Sequence, residues 1–164
     1  MSERGSADVR PAHEAELDEL ARLWHDSWQD AHAAIVPAEL TQARTVESFR
    51  HRLGILLPDV RVVGPIGAPV GFCIVKDDEL YQLFVATRAR GAGVAAALMA
   101  DAERRLAKSG AAVAWLACAI GNDRAARFYE KCGWHRSAVI VSQLETAAGI
   151  VPLEVWRYEK ALTG

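Results

Sequence analysis

The sequence predicts a single α/β domain, built on a mixed sheet of about seven strands with helices on both faces. Between residues 60 and 86, strand-like segments follow one another, whereas strands and helices alternate after that point. Val113 to Ala119 is apolar at nearly every position, which predicts a strand covered on both faces. Elements in this order bury their apolar faces best as layers of helix on sheet.

The length and composition limit the class of protein. The chain has 164 residues, which we expect to form one domain over 1–164 with a loose tail at residues 1–7. Apolar residues make up 51% and the net charge is −2, so the chain is globular and lacks the basic stripe of a nucleic-acid-binding protein. The longest apolar run, Ala111 to Ile120, is half of what a membrane span needs.

The N-terminus and the cysteines indicate a cytoplasmic protein. Met1 to Val9 is polar and contains no apolar signal region, so secretion is not expected. Cys73, Cys118 and Cys132 are odd in number and unevenly spaced, a pattern that forms neither a zinc site nor a disulfide framework. We therefore expect reduced thiols, no bound metal and no contact with a membrane.

The first half of the chain is expected to hold a short strand, two helices and a hairpin. Apolar side chains recur at spacings of three and four along the first helix, which ends before Ile35-Val36-Pro37. Turn residues between Val63 and Val70 join two alternating segments into a hairpin. The expected bounds are Asp8–Pro11 for the strand, about Glu14–Ala33 and Thr45–Leu53 for the helices, and Val60–Val63 and Val70–Lys76 for the hairpin.

The second half is expected to alternate strand and helix. A long helix follows the central strand, carries an apolar stripe on one face and ends at Gly110. A short helix closed by Gly133 separates the remaining strands. The expected bounds are Glu79–Ala86, Val113–Ala119, Trp134–Leu144 and Val151–Leu162 for the strands, and Gly91–Lys108 and Asp123–Cys132 for the helices.

The most informative segment is Arg90-Gly91-Ala92-Gly93-Val94-Ala95, which joins the central strand to the long helix. Glycines let the backbone approach an anion closely because no Cβ intervenes. The first N–H groups of the following helix lack partners within the helix and carry partial positive charge. This end of the helix is therefore expected to bind a pyrophosphate.

A second motif, from Asn122 to Trp134, makes the interpretation of the loop more specific. Together the two motifs resemble the GNAT superfamily of acyl-CoA-dependent N-acetyltransferases. The matching positions are Arg90, Gly93 and Ala95 in the cofactor loop, and Asn122, Ala125, Phe128, Tyr129, Lys131, Gly133 and Trp134 in the later motif. The resemblance covers residues 80–134 and implies that family's fold, a mostly antiparallel sheet with a splayed central strand pair.

The resemblance implies coenzyme A as the cofactor. Leu83, Phe84 and Val85 are expected to hydrogen-bond the pantetheine arm as an added strand. Arginine can pair with two phosphate oxygens, but Arg88 is equally consistent with a solvated charge pair, and Asn122 is also an ordinary N-cap. The other residues expected at the cofactor are Arg88, Arg90, Gly91, Ala92, Gly93, Val94, Ala95, Asn122 and Arg124.

The glycine loop also fits a dinucleotide fingerprint, through Gly91, Gly93 and Ala96. That interpretation requires an acidic residue at the end of the next strand to hold a ribose. The next strand instead ends in Cys118-Ala119-Ile120-Gly121, without a carboxylate. The context therefore favours coenzyme A over NAD.

For catalysis, the resemblance points to Tyr129 as a general acid at the thioester sulfur. The alternative is a packed tyrosine whose hydroxyl is capped, that is, hydrogen-bonded by a neighbouring residue. Glu79 is a candidate base, with Gln82 holding a water, although a water chain alone is the alternative. As a base, Glu79 is expected to matter most at low pH, where an amine is most protonated. A bulge in the central strand is expected to aim the N–H groups of Phe84 and Val85 at the oxyanion.

The acceptor pocket implied by the resemblance lies between the first two helices and the late strands. Trp28 and His32 are candidates to line it, although they also continue the apolar stripe of the first helix. Trp24 is expected in the core. No carboxylate cluster indicates a polycation, and no basic patch indicates an acidic acceptor. The full set of candidates is Trp28, His32, His25, Gln82, Trp156 and Tyr158.

The sequence therefore predicts a cytoplasmic N-acetyltransferase that moves an acetyl group from acetyl-CoA to a primary amine by direct attack in a ternary complex. A non-catalytic acyl-CoA-binding or sensing module of the same fold is the alternative, and the intact Tyr129 favours the enzyme. The acceptor, a small molecule or a peptide, stays open, and so does the choice between monomer and homodimer. No nucleic-acid partner is expected.

Overall fold

A computed structural model describes residues 8–162, and the loose tail expected at residues 1–7 lies outside them. Seven strands form one sheet in the order β1-β2-β3-β4-β5-β7-β6, which confirms the predicted fold class. The strands are β1 (Val9–Pro11), β2 (Val60–Val63), β3 (Gly71–Lys76), β4 (Glu79–Val85), β5 (Val113–Ala119), β6 (His135–Thr146) and β7 (Gly149–Ala161). The α-helices are α1 (Leu17–His32), α2 (Ala38–Ala43), α3 (Val46–Leu56), α4 (Val94–Lys108) and α5 (Asp123–Lys131).

The sheet is split in its middle. Neighbouring strands are antiparallel except for β4 and β5, which run parallel. Their ladder contains a single pair, Glu79 with Trp115, and beyond it the two strands diverge. The edge of β4 that faces β5 is therefore open over most of its length, and the splayed central pair is confirmed.

Apolar side chains are buried on both faces of the sheet. On one face, α4 packs through Leu98, Ala102 and Leu106. On the other, α1 and α3 form an aromatic layer in which the Trp24 ring lies 4.7 Å from Phe49, centroid to centroid. Trp24 is fully buried, as expected. Among residues 8–162, no helix has both the length and the apolar character to cross a bilayer.

The first helix begins with a separate turn. A 3₁₀ turn over Glu14–Glu16 precedes α1. The Glu16 carboxylate accepts from the His13 backbone N–H at 2.8 Å, and the His13 side chain accepts from Ala15 N–H at 3.0 Å, which together cap the turn. Glu16 is fully buried, and Arg10 neutralises it in an ion pair of 2.7 Å. The fold thus pairs this buried charge with a guanidinium.

Two helices differ from expectation. The long helix α4 begins at Val94 rather than at Gly91, because Gly91 and Gly93 adopt φ of +85° and +82°, outside the helical region. The short helix α2 was not predicted. It begins after Pro37 and buries one apolar side chain, Leu40, so the sequence carries no periodic stripe there.

Strand β5 is covered less completely than its composition predicts. Ala114, Leu116 and Cys118 are buried on the α4 face, but Val113 is 47% exposed and Ala117 is also exposed. The helices α1 and α3 pack on β2, β3 and β4, so their layer does not extend over these two positions. The expectation of a strand covered on both faces is therefore wrong for half of β5.

Candidate functional site

A cavity of about 600 Å³ opens where β4 and β5 diverge. The end of α1, the strand β4, the end of β5 and the start of α5 form its walls. The two sequence motifs meet here, since Arg90 and Ala95 line the cavity together with Asn122 and Tyr129. The split in the sheet thus produces a concave site beside the glycine loop.

The glycine loop presents free backbone amides beside this cavity. The first helical hydrogen bond that reaches back into the loop runs from Ala97 N–H to Gly93 C=O, at 3.1 Å. Among residues 8–162, no backbone acceptor contacts the N–H groups of residues 91–96. A Cβ built on Gly91 or Gly93 would meet no atom within 4 Å, so the space above the loop is open. Free amides at the start of a long helix suit an anion.

Of the three arginines expected at the cofactor, two line the cavity. Arg90 does so while its Nη2 contacts the Asp30 carboxylate of α1 at 3.1 Å, and Arg124 lines the same space. Arg88 points elsewhere, because its Nη2 donates to the Pro69 carbonyl at 3.3 Å and its side chain lines a separate groove.

The central strand contributes Leu83, Phe84 and Val85, the residues expected to bind the pantetheine arm, to the wall of the cavity. Its bulge, however, lies earlier than expected. Gln82 pairs with Ile74 and Leu80 pairs with Val75, so Tyr81 is the extra residue. The pairing of Phe84 with Phe72 is regular. The expectation of a bulge at Phe84 and Val85 is therefore wrong, because the extra residue that shifts the β3–β4 register is Tyr81.

Tyr129 lies on α5 with its side chain at the cavity. Its ring is 6.0 Å from that of Tyr158 and 5.8 Å from that of Phe128, centroid to centroid. Among residues 8–162, its hydroxyl makes no hydrogen bond, so it is not capped by a neighbour. Burial raises the pKa of the phenol, which therefore keeps its proton at neutral pH.

The start of α5 combines an N-cap with a cavity wall. The Asn122 side-chain oxygen accepts from Ala125 N–H at 3.4 Å, so Asn122 caps the helix while it lines the cavity. Cys118 lies beside it, and burial raises the pKa of that thiol to about 12. Cys118 and Cys73 are buried free thiols, as expected. Residues 8–162 contain no group of three His, Cys, Asp or Glu side chains arranged for a metal ion.

Glu79 stands just outside the cavity wall, at the start of β4. Burial is the main cause that raises the pKa of its carboxyl to about 7, and neighbouring Asp78 and Asp77 add to it against the opposing effect of Lys76. Gln82, three residues further along β4, lines the cavity.

His32, at the end of α1, lines the cavity more directly. Its Nδ1 lies 3.0 Å from the Trp28 carbonyl oxygen, which can only accept, so Nδ1 carries the proton and Nε2 keeps a free lone pair. Burial lowers the pKa of the imidazole, so the ring is neutral at pH 7. Its centroid is 6.3 Å from that of Phe84.

The other acceptor candidates lie away from the cavity. Trp28 is 8% exposed and belongs to the aromatic layer under α1. The Arg136 guanidinium covers the Trp156 ring at 3.8 Å, and Tyr158 is fully buried. The His25 ring contacts its neighbour Asp26. The structure therefore brings His32 and Gln82 to the cavity and leaves these four outside it.

Some lining residues were not predicted from the sequence. Ser27, Asp30 and Ala31 form the α1 wall, and Tyr81 forms part of the β4 wall. Ser27 is 8% exposed, so a small polar residue is buried within an apolar stripe. That interruption of the stripe is the sequence signal that could have identified this face of α1 as a cavity wall.

Comparisons with known proteins agree with this geometry. The sequence profile of the Acetyltransferase (GNAT) family matches residues 13–134. No curated protein gives a significant match to this sequence. Many solved structures share the fold.

Three of these structures show how far the likeness extends. A GCN5-related N-acetyltransferase from Rhodopseudomonas palustris has 20% identity, 99% coverage of both chains and a TM-score of 0.76. The PaiA N-acetyltransferase from Thermoplasma acidophilum, solved with coenzyme A, has 18% identity, covers 96% of this chain and 99% of its own, and has a TM-score of 0.65. YncA from Salmonella typhimurium, solved with acetyl-CoA, has 15% identity, coverage of 98% and 96%, and a TM-score of 0.66. At these identities the likeness shows the fold alone.

Proposed function

The chain belongs to the GNAT family of acetyltransferases, and on that premise we propose that it transfers the acetyl group of acetyl-CoA to a primary amine by direct attack in a ternary complex. One observation carries the proposal: Tyr129, with its uncapped hydroxyl, lines the same cavity in the split sheet as Arg90 and Ala95, the two ends of the loop that holds the free amides. The hydroxyl suits the reacting end of a thioester, and the amides suit a pyrophosphate.

The chain's own groups suit the parts of coenzyme A. The amides of residues 91–96 would hold the pyrophosphate, with Arg90 and Arg124 pairing with phosphate oxygens. Along the segment Leu83-Phe84-Val85, the backbone groups of Leu83 and Val85 point away from β3 to the open edge of β4, which would accept the pantetheine amides as a strand does. Two of the similar structures were solved with coenzyme A or acetyl-CoA, which supports this cosubstrate.

Bound acetyl-CoA supplies an activated acetyl thioester. The amine nitrogen of the acceptor attacks the thioester carbon, and the carbon–sulfur bond breaks. Tyr129 donates its phenolic proton to the departing sulfur, because burial keeps that proton in place until negative charge develops. The amine's surplus proton passes to a base, and the products are an acetamide and a free thiol.

Two groups suit the role of base. Glu79 has a pKa raised to about 7 and would act through a water at Gln82. His32 lines the cavity, is neutral at pH 7 and keeps Nε2 free. Glu79 is the base expected from the sequence but stands outside the cavity wall, so His32, which lines the cavity, is an equal candidate.

A covalent acetyl-enzyme is not favoured. Cys118 is the cysteine at the cavity wall, and its pKa of about 12 leaves almost no thiolate at neutral pH. Direct attack in a ternary complex requires no such nucleophile. The cytoplasmic location and the oligomeric state stay predictions.

The test is acetyl transfer itself. Purified protein is mixed with acetyl-CoA and a panel of primary amines, and thiol release is followed together with the mass of the product. Calorimetry with acetyl-CoA and with NAD accompanies the assay, and binding is expected for acetyl-CoA alone. Binding of acetyl-CoA without transfer to any amine would instead favour the non-catalytic module.

A further inference from the structure

Two cationic side chains contact Tyr81, a residue of the cavity wall, and a third is close enough for its charge to act on it. Arg52 of α3 donates to the Tyr81 hydroxyl, the Lys76 Nζ at the end of β3 lies 5.2 Å from the ring centroid, and Arg44 caps the end of α2. Among residues 8–162, none of the three forms an ion pair with a carboxylate. The sequence showed no basic patch because these residues are far apart along the chain.

Arg44 is the most unusual of the three. It is 6% exposed, and its Nη1 donates to the backbone carbonyl of Glu145, in β6, at 3.0 Å. Its other N–H groups meet no acceptor among residues 8–162, and none of their nitrogens is sealed from solvent. Burial lowers the pKa of Arg44 to about 10, and the nearby charge of Arg52 acts in the same direction.

Arg52 is held in place by aromatic rings. Its guanidinium carbon lies 4.4 Å from the centroid of Trp24 and 5.6 Å from that of Phe49. Its Nη2 donates to the Tyr81 hydroxyl at 2.8 Å. The hydroxyl proton of Tyr81 has no acceptor among residues 8–162. Arg52 and Tyr81 therefore form a fixed polar pair with a free donor at the cavity.

A buried cation without an anion is costly to fold. The buried charge of Glu16, by contrast, has a partner of opposite sign, because Arg10 pairs with it at 2.7 Å. The cluster at Tyr81 therefore has the charge and the free donors of a site whose anion arrives with a ligand. Guanidinium groups suit a carboxylate because its two oxygens accept from parallel N–H donors.

We propose that Arg44 and Arg52, together with the Tyr81 hydroxyl, bind a carboxylate of the acceptor, so that the acceptor is an amine that also carries a carboxylate. The inference rests on the proposed acetyl transfer and names the class of its acceptor. Tyr81 and His32 line the same cavity, so a carboxylate held at Tyr81 leaves the amine end of the acceptor inside it. A free amino acid and a peptide with an acidic side chain share this chemistry.

The first experiment compares matched acceptors. Each of the common amino acids is assayed beside its carboxamide, and short peptides with an Asp or Glu side chain are assayed beside their Asn or Gln counterparts. The carboxylate member of a pair is expected to have a kcat/KM about tenfold to a hundredfold higher, the range for hydrogen bonds to a charged group. The amino-acid series and the peptide series distinguish the two sources. Equal rates for acids and amides in both series would overturn the inference.

The second experiment uses variants of the cluster. Arg44→Gln and Arg52→Gln are expected to raise the KM for the carboxylate acceptor by about tenfold or more while the KM for acetyl-CoA stays unchanged. Arg50→Gln is the matched control, because Arg50 lies on the same helix, is exposed and pairs with Asp18. An unchanged acceptor KM in both cluster variants would contradict the proposal. If Arg44→Gln fails to fold, Arg52→Gln and Arg44→Lys carry the test.

A binding measurement separates this inference from the proposed function. Succinate is expected to raise the melting temperature of the wild type in a saturable way, beyond sodium chloride of equal ionic strength, and to lose this effect in Arg52→Gln. Transfer to neutral amines alone, with no effect of succinate, would refute the carboxylate site and leave the acetyltransferase intact. Binding of acetyl-CoA without transfer to any amine would refute the proposed function. The carboxylate site would then stand if succinate stabilises the wild type but not Arg52→Gln, and fall if succinate has no effect.

Discussion

Tyr129 provides the sharpest test at the scale of a single residue. Its hydroxyl is uncapped and its ring is packed between Phe128 and Tyr158, so Tyr129→Phe removes one oxygen and leaves the packing. The loss of a general acid is expected to lower kcat by about a hundredfold or more. Affinity for acetyl-CoA, measured by calorimetry, should change little because the proton matters when charge develops on sulfur. Equal losses in affinity and in rate would mean a binding role instead.

Glu79 makes a prediction about stability that does not depend on catalysis. Its folded pKa, about 7, lies above the unfolded value of 4.5, so its stabilising contribution is complete below pH 4.5 and is lost as the pH rises through 7. Because the group is partly exposed, the cost of ionising it is on the order of 1–2 kcal/mol at pH 8. Glu79→Gln should therefore gain about that much stability relative to wild type between pH 5 and pH 8.

Urea unfolding at both pH values measures this difference. Glu39→Gln, on the exposed side of α2, controls for the loss of a surface carboxylate. A Glu79→Gln variant whose stability relative to wild type is the same at pH 5 and pH 8 would show that the carboxyl is not desolvated.

The same pKa distinguishes the two candidate bases and corrects an expectation from the sequence. A base with a pKa of about 7 is itself protonated at low pH, so Glu79→Gln should reduce kcat/KM most above pH 7, rather than at low pH. If His32 is the base, the rising limb should lie below pH 6.5, because burial lowers that pKa. The pH profiles of Glu79→Gln and His32→Gln identify the base, because only the substitution of the true base should remove the rising limb of kcat/KM.

If Arg90 pairs with a phosphate of coenzyme A, as proposed, Asp30 competes with that phosphate for the guanidinium. The pair is 3.1 Å long, and its side chains are 34% and 54% exposed, so its strength is at most about 1 kcal/mol. Asp30→Asn should therefore raise the affinity for coenzyme A by up to about fivefold in calorimetry. Asp26→Asn, one turn earlier on α1, is the control. A weaker affinity in Asp30→Asn would mean that Asp30 positions Arg90 rather than competes for it.

At the scale of elements, the glycine loop depends on two positive φ angles. Gly93→Ala places a methyl group in the open space above the loop and also strains the backbone at φ +82°. Gly110→Ala, at the other end of α4, has similar strain at φ +98° and equally open space. Both should lose about 1–2 kcal/mol of stability. Gly93→Ala alone should weaken coenzyme A binding, by about tenfold or more in calorimetry.

Most elements could be predicted because their patterns are local. The stripe of α4 and the strand Val113–Ala119 follow directly from apolar spacing, and the bounds of β5 agree with the structure. The helix α2 and the position of the bulge could not be predicted. A helix that buries only Leu40 has no period, and the extra residue Tyr81 depends on the partner strand β3 rather than on β4 itself.

At the scale of the whole molecule, the two motifs that meet at the cavity were visible in the sequence, and the cluster around Tyr81 was not. The glycine loop and the motif after Asn122 are contiguous and carry their own chemistry. Arg44 at the end of α2, Arg52 on α3 and Tyr81 on β4 are far apart along the chain, and only folding brings them together. A basic site assembled in this way leaves no pattern in the sequence.

Local opening of the molecule is expected to begin at the split between β4 and β5. One ladder pair joins these strands, and the N–H groups of Leu83 and Val85 point away from β3, so these two amides and those of residues 91–96 should exchange with deuterium faster than those inside the β2–β3 pair. Coenzyme A should slow exchange at both segments by about tenfold or more and leave the distant turn at Thr146–Gly149 unchanged. Uniform protection across the sheet would mean that the two halves open together. With local protection, the free enzyme is a sheet with a missing strand, and the pantetheine arm supplies that strand in each catalytic cycle.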